Sequence, residues 1–244
     1  MQTHPHKVGK VWIRPLSVRP ERFEEWKSWL TAEETERATH GVRPEIGQSF
    51  VTGRGWLREL LSQETSLPPA QIVFHKTRLG KLKLAMQAPG GPAPIPGFED
   101  LEFSLSHSGA WLALACIEGR RIGIDIEQVR PRKKAKQVAQ AFLHPGEVAQ
   151  LETLPPREWL DGFYCCWTRK EAFTKALGLG LQYDFRQFEV TATPGSHPGL
   201  LSSPDGQHTG WSLYDIPVEA GYYASLAIAG EPIEIVIDRM QRMN

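Results

Sequence analysis

The sequence predicts an α+β protein built as a pseudo-dimer of two similar α+β halves, with its functional site in the cleft between them. Three observations support this prediction. Helical and strand-like patterns alternate along the whole chain. Segments of the first half recur 112 residues later in the second half. One strand-like and one helix-like segment carry acidic and basic residues whose spacing places them on single faces.

Composition and charge restrict the classes of function. The chain has 244 residues, enough to bury a sizeable core in one large domain or two smaller ones. Lysine and arginine number 28, as do aspartate and glutamate, so no net charge directs the protein to nucleic acid or an anionic membrane. Residues 1–10 lack the apolar core of a signal peptide, and the longest apolar run, 111–117, cannot span a bilayer. The three cysteines fit packing positions in a reducing compartment, so we expect a cytoplasmic protein.

Two helices are predicted in the first half. Residues 21–39 are rich in polar side chains and place large apolar ones at helical spacing, at Phe23, Trp26, Trp29 and Leu30. Residues 49–63 show a second helical pattern, although Gly53 and Gly55 weaken it. Arginines on helices are mostly solvated, so Arg54 and Arg58 are interpreted as surface residues.

Short apolar or alternating segments predict strands, and segments rich in proline and glycine predict loops. The predicted strands are residues 71–74, 102–106, 111–117, 121–127, 222–229 and 233–237. The predicted loops are residues 88–97 and 193–210. Helical patterns return at residues 133–143 and 157–177, where Gly178 is placed to end the second of these helices.

The internal repeat predicts the division of the chain. Residues 109–115 match residues 221–227, and at the same offset Arg58-Glu59 matches Lys170-Glu171 on helical patterns. Together the matches indicate a duplication with a boundary near residues 118–121, hence halves of 1–119 and 120–244. Chance is the alternative, because small apolar residues match easily. A duplicated chain would form a cleft between its halves, where ligands often bind.

A cluster of acidic residues is the strongest functional feature. In the strand 123–127, Asp125 and Glu127 share one face while the isoleucines face the core. Glu171 and Lys175 lie one turn apart on the predicted helix. If strand and helix pack together, three carboxylates converge, and a hard cation with oxygen ligands would relieve their repulsion. Each piece alone also fits a plainer interpretation, an exposed strand face and an ordinary helix salt bridge.

Three motifs resemble those of a known family. Residues 123–127 read GIDIE, residues 167–180 read WTRKEAFTKALGLG, and residues 103–108 read FSLSHS. In order and spacing they are similar to the signature of the Sfp-type 4′-phosphopantetheinyl transferases. The resemblance runs from roughly residue 30 to residue 190. Proteins of that family consist of two similar α+β halves with the active site in the cleft, in agreement with the internal repeat.

The resemblance implies an enzyme that transfers 4′-phosphopantetheine from coenzyme A to a serine of an apo acyl or peptidyl carrier protein. Mg²⁺ would be the metal cofactor and adenosine 3′,5′-bisphosphate the second product. It implies that Asp125, Glu127 and Glu171 hold the metal, and Lys175 would stabilise charge on the transferred phosphate. Glu171 is the candidate base for the serine proton. No nucleic acid or membrane partner is expected, and a duplicated chain favours a monomer.

The resemblance also implies residues for coenzyme A. They are Ser106, His107, Lys81, Arg43 and Lys76, together with Asp125 and Lys175. Two departures affect the contacts, because the family often has Gly-Lys-Pro where residues 80–82 read Gly-Lys-Leu, and often has Asn in place of Ser104. A phosphate beside His107 would raise the pKa of its imidazole.

Two other functions fit parts of the sequence. A Mg²⁺-dependent phosphodiesterase or nuclease would use the same acidic cluster, but the neutral net charge argues against it. A non-catalytic module that binds coenzyme A or a carrier protein would have no need of the intact acidic residues and Lys175. The basic run 130–136 is either a solvated segment or a docking surface for an acidic carrier protein.

Overall fold

The computed structural model describes residues 8–40, 43–78, 80–88, 91–179, 183–204, 206 and 208–240. The helices are α1 Pro20–Ser28, α2 Ala32–Thr39, α3 Pro44–Thr65, α4 Ala135–Phe142, α5 Pro145–Glu152 and α6 Trp159–Leu177. The longer strands are β1 Gly9–Pro15, β2 Ile72–Lys76, β3 Leu82–Ala88, β5 Leu101–Ser108, β6 Trp111–Glu118, β7 Ile122–Gln128, β10 Trp211–Asp215, β11 Tyr222–Ala229 and β12 Ile235–Arg239. The short strands are β4 Gly91–Ala93, β8 Glu189–Val190 and β9 Leu200–Ser202.

Two main sheets pack face to face and carry the long helices on their outer faces. The first has the strand order β12-β1-β6-β5 and the second the order β10-β11-β7. Isoleucines of β7 pack between the sheets against residues of β1 and β6 such as Ile13 and Ala113. On the outer face of the first sheet, Leu112 and Leu114 pack against α3, while α6 covers the second sheet. Successive side chains of a strand point to opposite faces of its sheet. One set therefore packs between the two sheets, and the other packs beneath the helices.

The α+β class predicted from the sequence is confirmed, and all six predicted strands form. Strand β12 pairs in parallel with β1, so the last strand of the chain joins the sheet of the first half. The predicted boundary at residue 119 falls in the turn between β6 and β7. None of the described helices combines the length and the apolar character needed to cross a membrane.

The predicted helix 21–39 is wrong in one respect, because it is two helices. α1 ends at Ser28, and Thr31 caps the N-terminus of α2: its hydroxyl accepts from the Glu34 amide at 3.2 Å, and the Glu34 carboxylate accepts from the Thr31 amide at 3.1 Å. This reciprocal capping box satisfies two amides that a continuous helix would have bonded internally.

Other differences concern short or fully buried elements. Strand β1 is buried on both faces except at Lys10, so it shows no clear alternation and was not predicted. Strands β3 and β10 and the eight-residue helix α5 were not predicted either. The predicted loops 88–97 and 193–210 contain strands β4 and β9, and residues 89, 90, 205 and 207 lie outside the described residues.

The duplication is clearest in the long helices. Both end at a left-handed residue, Ser66 at φ 58° and Gly178 at φ 76°, and these two positions are 112 apart. In each half a fully buried basic residue of the long helix binds the glutamate of a capping box: Arg58 binds Glu34 at 2.6 Å, and Lys170 binds Glu147 at 2.5 Å. The interpretation of Arg58 as a solvated residue is therefore wrong.

The offset of 112 does not hold for side-chain orientation in the strands. Leu112 packs beneath α3, whereas Ala224, which is 112 residues later, lies in the core between the sheets. Equivalent positions of the two long helices are 112 residues apart, an even number. Because successive residues of a strand face opposite sides, strand positions with equivalent side-chain orientation can instead be an odd number of residues apart. The sequence match of residues 109–115 with 221–227 therefore does not superpose equivalent side chains.

We expect Lys170→Met to lower the free energy of unfolding by about 3 kcal/mol, because it leaves the buried Glu147 carboxylate without its cation. The measurement is denaturant unfolding, with the exposed Lys133→Met as the matched control. A loss below about 1 kcal/mol, the range of an exposed pair, would contradict the structural role of the ion pair.

Candidate active site

The candidate site lies where β5 of the first sheet runs beside β7 of the second. At its centre is Asp125, whose side chain is 4% exposed. Its Oδ1 atom accepts from Lys175 Nζ at 2.6 Å and from Ser106 Oγ at 2.7 Å, and Lys175 also donates to Ser106 at 2.9 Å. The second carboxylate oxygen, Oδ2, is buried and has no hydrogen-bond partner among the described residues. A buried carboxylate oxygen without a donor is costly, so this atom is available to a ligand.

Two further carboxylates face the same cleft. Burial raises the pKa of Glu171 to about 7, and Asp125 adds to the rise while Lys175 opposes it. Burial also raises the pKa of Glu127, against the hydrogen bond that Ser108 donates at 2.7 Å. Asp125 contributes to the shifts of both glutamates, so the three carboxylates are close enough to repel each other. The structure thus brings the predicted acidic residues and Lys175 together.

The chemistry of these residues fits a magnesium ion. Two of the three carboxylates, Glu127 and Glu171, have raised pKa values, and Asp125 Oδ2 is buried without a hydrogen-bond partner among the described residues. Carboxylate oxygens of this kind are the ligands that a hard cation prefers. Within the described residues, no three histidine, cysteine, aspartate or glutamate side chains are already gathered around one metal position. Instead the Lys175 ammonium neutralises Asp125. A metal would therefore have to compete with this ammonium for the carboxylate.

A groove leads away from the acidic cluster along β5 toward the N-terminus of α3. Its first cavity, of about 290 Å³, is lined by Lys81, Lys175 and Gly178 among others. The next, of about 280 Å³, has Lys76 and His107 in its wall, and the last, of about 480 Å³, is lined by His107 and Arg43. Neighbouring cavities share lining residues, so they form one groove with cationic groups along its length.

The structure adds detail to two of the predicted coenzyme A residues. Lys81 donates to Glu102 at 3.0 Å, and burial lowers the pKa of its ammonium although Glu102 opposes this. The ammonium of Lys81 is therefore already partly neutralised by Glu102. Desolvation, and then the charge of Lys175, lower the pKa of His107, so its imidazole favours the neutral form before any anion binds.

Sequence reasoning missed three residues at this groove. Arg37 lines both of the cavities that contain His107, and Glu102 pairs with Lys81 and Lys83. Arg54, interpreted as solvated, is in fact buried, pairs with Glu34 at 3.0 Å, and has a pKa lowered to about 10, mainly by burial. The one available signal was the recurrence of basic residues along α2 and α3, which sequence alone does not distinguish from a solvated face.

Three remaining interpretations can be compared with the structure. Trp167 packs in the core against Phe163 and Phe185, as predicted. The three cysteines are free and buried, as predicted. The basic run 130–136 is exposed except at Ala135, and Arg132 is close enough to Glu127 to oppose the rise in its pKa. Gly180 of the glycine motif lies outside the described residues.

Comparisons with known proteins agree with this site. Residues 121–228 match the sequence profile described as the 4′-phosphopantetheinyl transferase superfamily. The 4′-phosphopantetheinyl transferase HetI of Nostoc sp. is 30% identical over 90% of this chain and 87% of its own length. The 4′-phosphopantetheinyl transferase Sfp of Bacillus subtilis is 28% identical and covers 88% of each chain.

A third relative, the 4′-phosphopantetheinyl transferase AcpT of Salmonella typhimurium, is 42% identical over 58% of this chain and 63% of its own length. The similarity to HetI extends over nearly the full length of both proteins, and the superfamily profile covers β7 and α6, which carry the acidic cluster. The chain therefore belongs to the 4′-phosphopantetheinyl transferase superfamily, which confirms the family and the enzyme class that its motifs predict.

Proposed function

We propose that the protein transfers 4′-phosphopantetheine from coenzyme A to a serine of an apo acyl or peptidyl carrier protein, in a Mg²⁺-dependent reaction. The observation that carries the proposal is the buried Asp125 carboxylate. One of its oxygens is bound by Lys175 and Ser106, the other has no hydrogen-bond partner in the described part of the chain, and a groove with cationic groups lies beside it. Family membership supports the same reaction.

The reaction places several negative charges in the cleft. The carrier serine attacks one phosphorus of the pyrophosphate of coenzyme A, and the departing group is adenosine 3′,5′-bisphosphate. When bound, Mg²⁺ would supply charge neutralisation and orientation of the pyrophosphate oxygens. Asp125, Glu127 and Glu171 are the residues that would hold it, because they are the carboxylates that converge on this part of the cleft.

Lys175 is suited to two successive roles. In the free protein its ammonium neutralises Asp125 at 2.6 Å. It also lines the first cavity of the groove, so it can turn from the carboxylate to a phosphate oxygen without leaving the site. An ammonium that contacts the phosphate stabilises the charge that develops during transfer.

Glu171 is the group best placed to accept the serine proton. A general base works best when its pKa lies near the working pH, and burial together with Asp125 holds the pKa of Glu171 at about 7. Glu127 has a raised pKa as well, but the Ser108 hydroxyl donates to its carboxylate. We therefore assign proton acceptance to Glu171, which is also among the residues that would hold the metal, and metal binding alone to Glu127 and Asp125.

The basic groove is the proposed binding site for the nucleotide end of coenzyme A. Lys76, His107, Arg37 and Arg43 line its outer cavities and could contact phosphate oxygens. A phosphate favours the charged imidazole, so we expect the pKa of His107, which is lowered in the free protein, to rise on binding. The basic run 130–136 is exposed except at Ala135, and its Arg132 is near enough to Glu127 to affect the pKa of that carboxylate. It is the proposed contact for an acidic carrier protein.

The direct test is incubation with apo carrier proteins, coenzyme A and Mg²⁺, followed by mass spectrometry of the carrier. We expect a mass gain of one phosphopantetheine that disappears when Mg²⁺ is removed with a chelator. No gain on any carrier of a panel drawn from fatty-acid, polyketide and peptide synthesis would refute the proposal. A DNA-nicking assay on the same preparation tests the alternative nuclease activity, which we expect to be absent.

We expect Asp125→Ala and Glu171→Ala each to lower the rate of transfer at least 1,000-fold, on the order of an electrostatic contribution to a transition state. The measurement is the rate at saturating coenzyme A, and circular dichroism checks that the fold persists. Glu152→Ala, which removes an exposed carboxylate at the end of α5, is the control with an unchanged rate. Near-normal turnover in either variant of the cluster would contradict the assignment.

We also expect pH to act in opposite directions on rate and stability. The carboxylate form of Glu171 is the active base, so the rate at low Mg²⁺ rises as the pH passes through about 7. The folded protein binds a proton at Glu171 that the unfolded chain releases near pH ~4.3, so this stabilisation is complete below ~4.3 and is lost as the pH rises through about 7.

Glu171→Gln separates the two effects. It abolishes transfer but raises the free energy of unfolding at about pH 8 by about 1 kcal/mol, since it removes a repelled charge that solvent only partly screens. Denaturant unfolding at about pH 5 and about pH 8 measures this difference. Equal stability of variant and native protein at both pH values would contradict the raised pKa.

A further inference from the structure

Three serines of β5 reach across the cleft to β7 and form what we call the serine ladder, Ser104, Ser106 and Ser108. The two strands belong to different sheets. Ser104 Oγ accepts from the Ile124 amide at 3.1 Å, and Ser108 Oγ accepts from the Gln128 amide at 3.1 Å. Within a sheet, backbone carbonyls accept hydrogen bonds from the amides of the neighbouring strand. Here serine hydroxyls accept them instead, so β5 and β7 are hydrogen-bonded although they belong to different sheets.

The same hydroxyls hold the carboxylates of the acidic cluster. Ser106 donates to Asp125 Oδ1 and Ser108 donates to Glu127 Oε2, both at 2.7 Å. A hydroxyl has one proton, and the acceptor bond from the Gln128 amide fixes the orientation of the Ser108 oxygen. The single proton of Ser108 is therefore directed at Glu127, and the backbone of β7 holds the hydroxyl that orients a carboxylate on the same strand.

Packing alone does not account for serine at these positions. Strand residues alternate between faces, and the intervening Phe103 and Leu105 pack into the core beneath α3. Ser104 and Ser106 are buried on the other face, and Ser108 is half-buried there. Burying a hydroxyl in such a place costs free energy unless it is hydrogen-bonded. The bonds to the amides and carboxylates of β7 give these hydroxyls their partners.

We propose that Ser108 is a positioning residue that keeps the Glu127 carboxylate turned toward Asp125, so that this one ligand is ordered before the metal binds. The inference rests on the proposed Mg²⁺-dependent transfer. Of the three serines, Ser108 is the one at which a substitution gives the clearest test of this inference. Ser106 also contacts Lys175, and the Ser104 hydroxyl accepts from the backbone amide of Ile124 in β7.

Loss of the Ser108 hydroxyl should therefore act through the metal. Without this donor, the half-buried Glu127 carboxylate can turn toward solvent and the exposed basic run, where Arg132 attracts it. The ordering of Glu127 must then occur when Mg²⁺ binds, which lowers the affinity for Mg²⁺. At saturating Mg²⁺ the same ligands are in place, so the maximal rate changes much less.

The test compares Ser108→Ala with Ser108→Thr, which keeps the hydroxyl, and with Ser212→Ala. Ser212 is a matched control, since it is a buried serine of β10 whose hydroxyl bonds to Gly230 at 2.7 Å outside the cleft. Two readouts are needed for each variant. Isothermal titration calorimetry measures the binding of Mg²⁺ in the presence of coenzyme A without carrier, and the transfer assay gives the Mg²⁺ concentration at half-maximal rate.

We expect Ser108→Ala to weaken Mg²⁺ binding and raise the half-maximal Mg²⁺ concentration about tenfold, as for a lost hydrogen bond to a charged group. Its maximal rate should fall less than about threefold, while Ser108→Thr and Ser212→Ala should stay within about twofold of the native protein. Equal Mg²⁺ affinities in Ser108→Ala and Ser212→Ala would overturn the inference while leaving the proposed transfer intact.

Two further outcomes are defined. If the native protein itself fails to transfer, the proposed function fails, and calorimetry alone then decides whether Ser108 supports Mg²⁺ binding. If Ser108→Ala does not fold, Ser108→Cys replaces it, because a thiol is a weak donor of similar shape. An unchanged Mg²⁺ affinity in Ser108→Cys would overturn the inference in the same way.

Discussion

The burial of Asp125 between the two halves is the constraint on which the rest of the site depends. A carboxylate in this position requires compensation, and it receives a lysine from α6 and a serine from β5. These partners tie together three elements from both halves of the chain. Within the residues that the structure describes, the Oδ2 oxygen of Asp125 receives no hydrogen bond, so the compensation is incomplete. This oxygen destabilises the folded protein because it is buried without a donor, and a bound cation would supply the missing interaction.

The duplicated architecture explains how such a cleft can be stable. Each long helix is held by a fully buried basic residue on the glutamate of a capping box, at Arg58 with Glu34 and at Lys170 with Glu147. Arg58, Lys170 and Glu147 are fully buried. The halves can therefore keep their own cores while the strands between them carry serines and carboxylates. Only the second half has the acidic strand, so the two halves form one acidic cluster with a basic groove beside it.

Much of this site could be predicted from the sequence, because its residues lie on elements with strong patterns. Alternation in β7 put Asp125 and Glu127 on one face, and helical spacing put Glu171 above Lys175 on α6. Strand β1 escaped prediction because burial on both faces removes the alternation. The burial of Arg54 and the pairing of Lys81 with Glu102 depend on which elements meet in three dimensions, and local patterns carry no information about that.

A crystal structure of the protein with coenzyme A and Mn²⁺ in place of Mg²⁺, with the metal located by anomalous scattering, would show whether Asp125 is a metal ligand. We expect a metal bound to the Oδ2 oxygen of Asp125, and Lys175 turned from Asp125 to a phosphate oxygen. A metal bound elsewhere in the cleft, with Lys175 still on Asp125, would contradict this expectation.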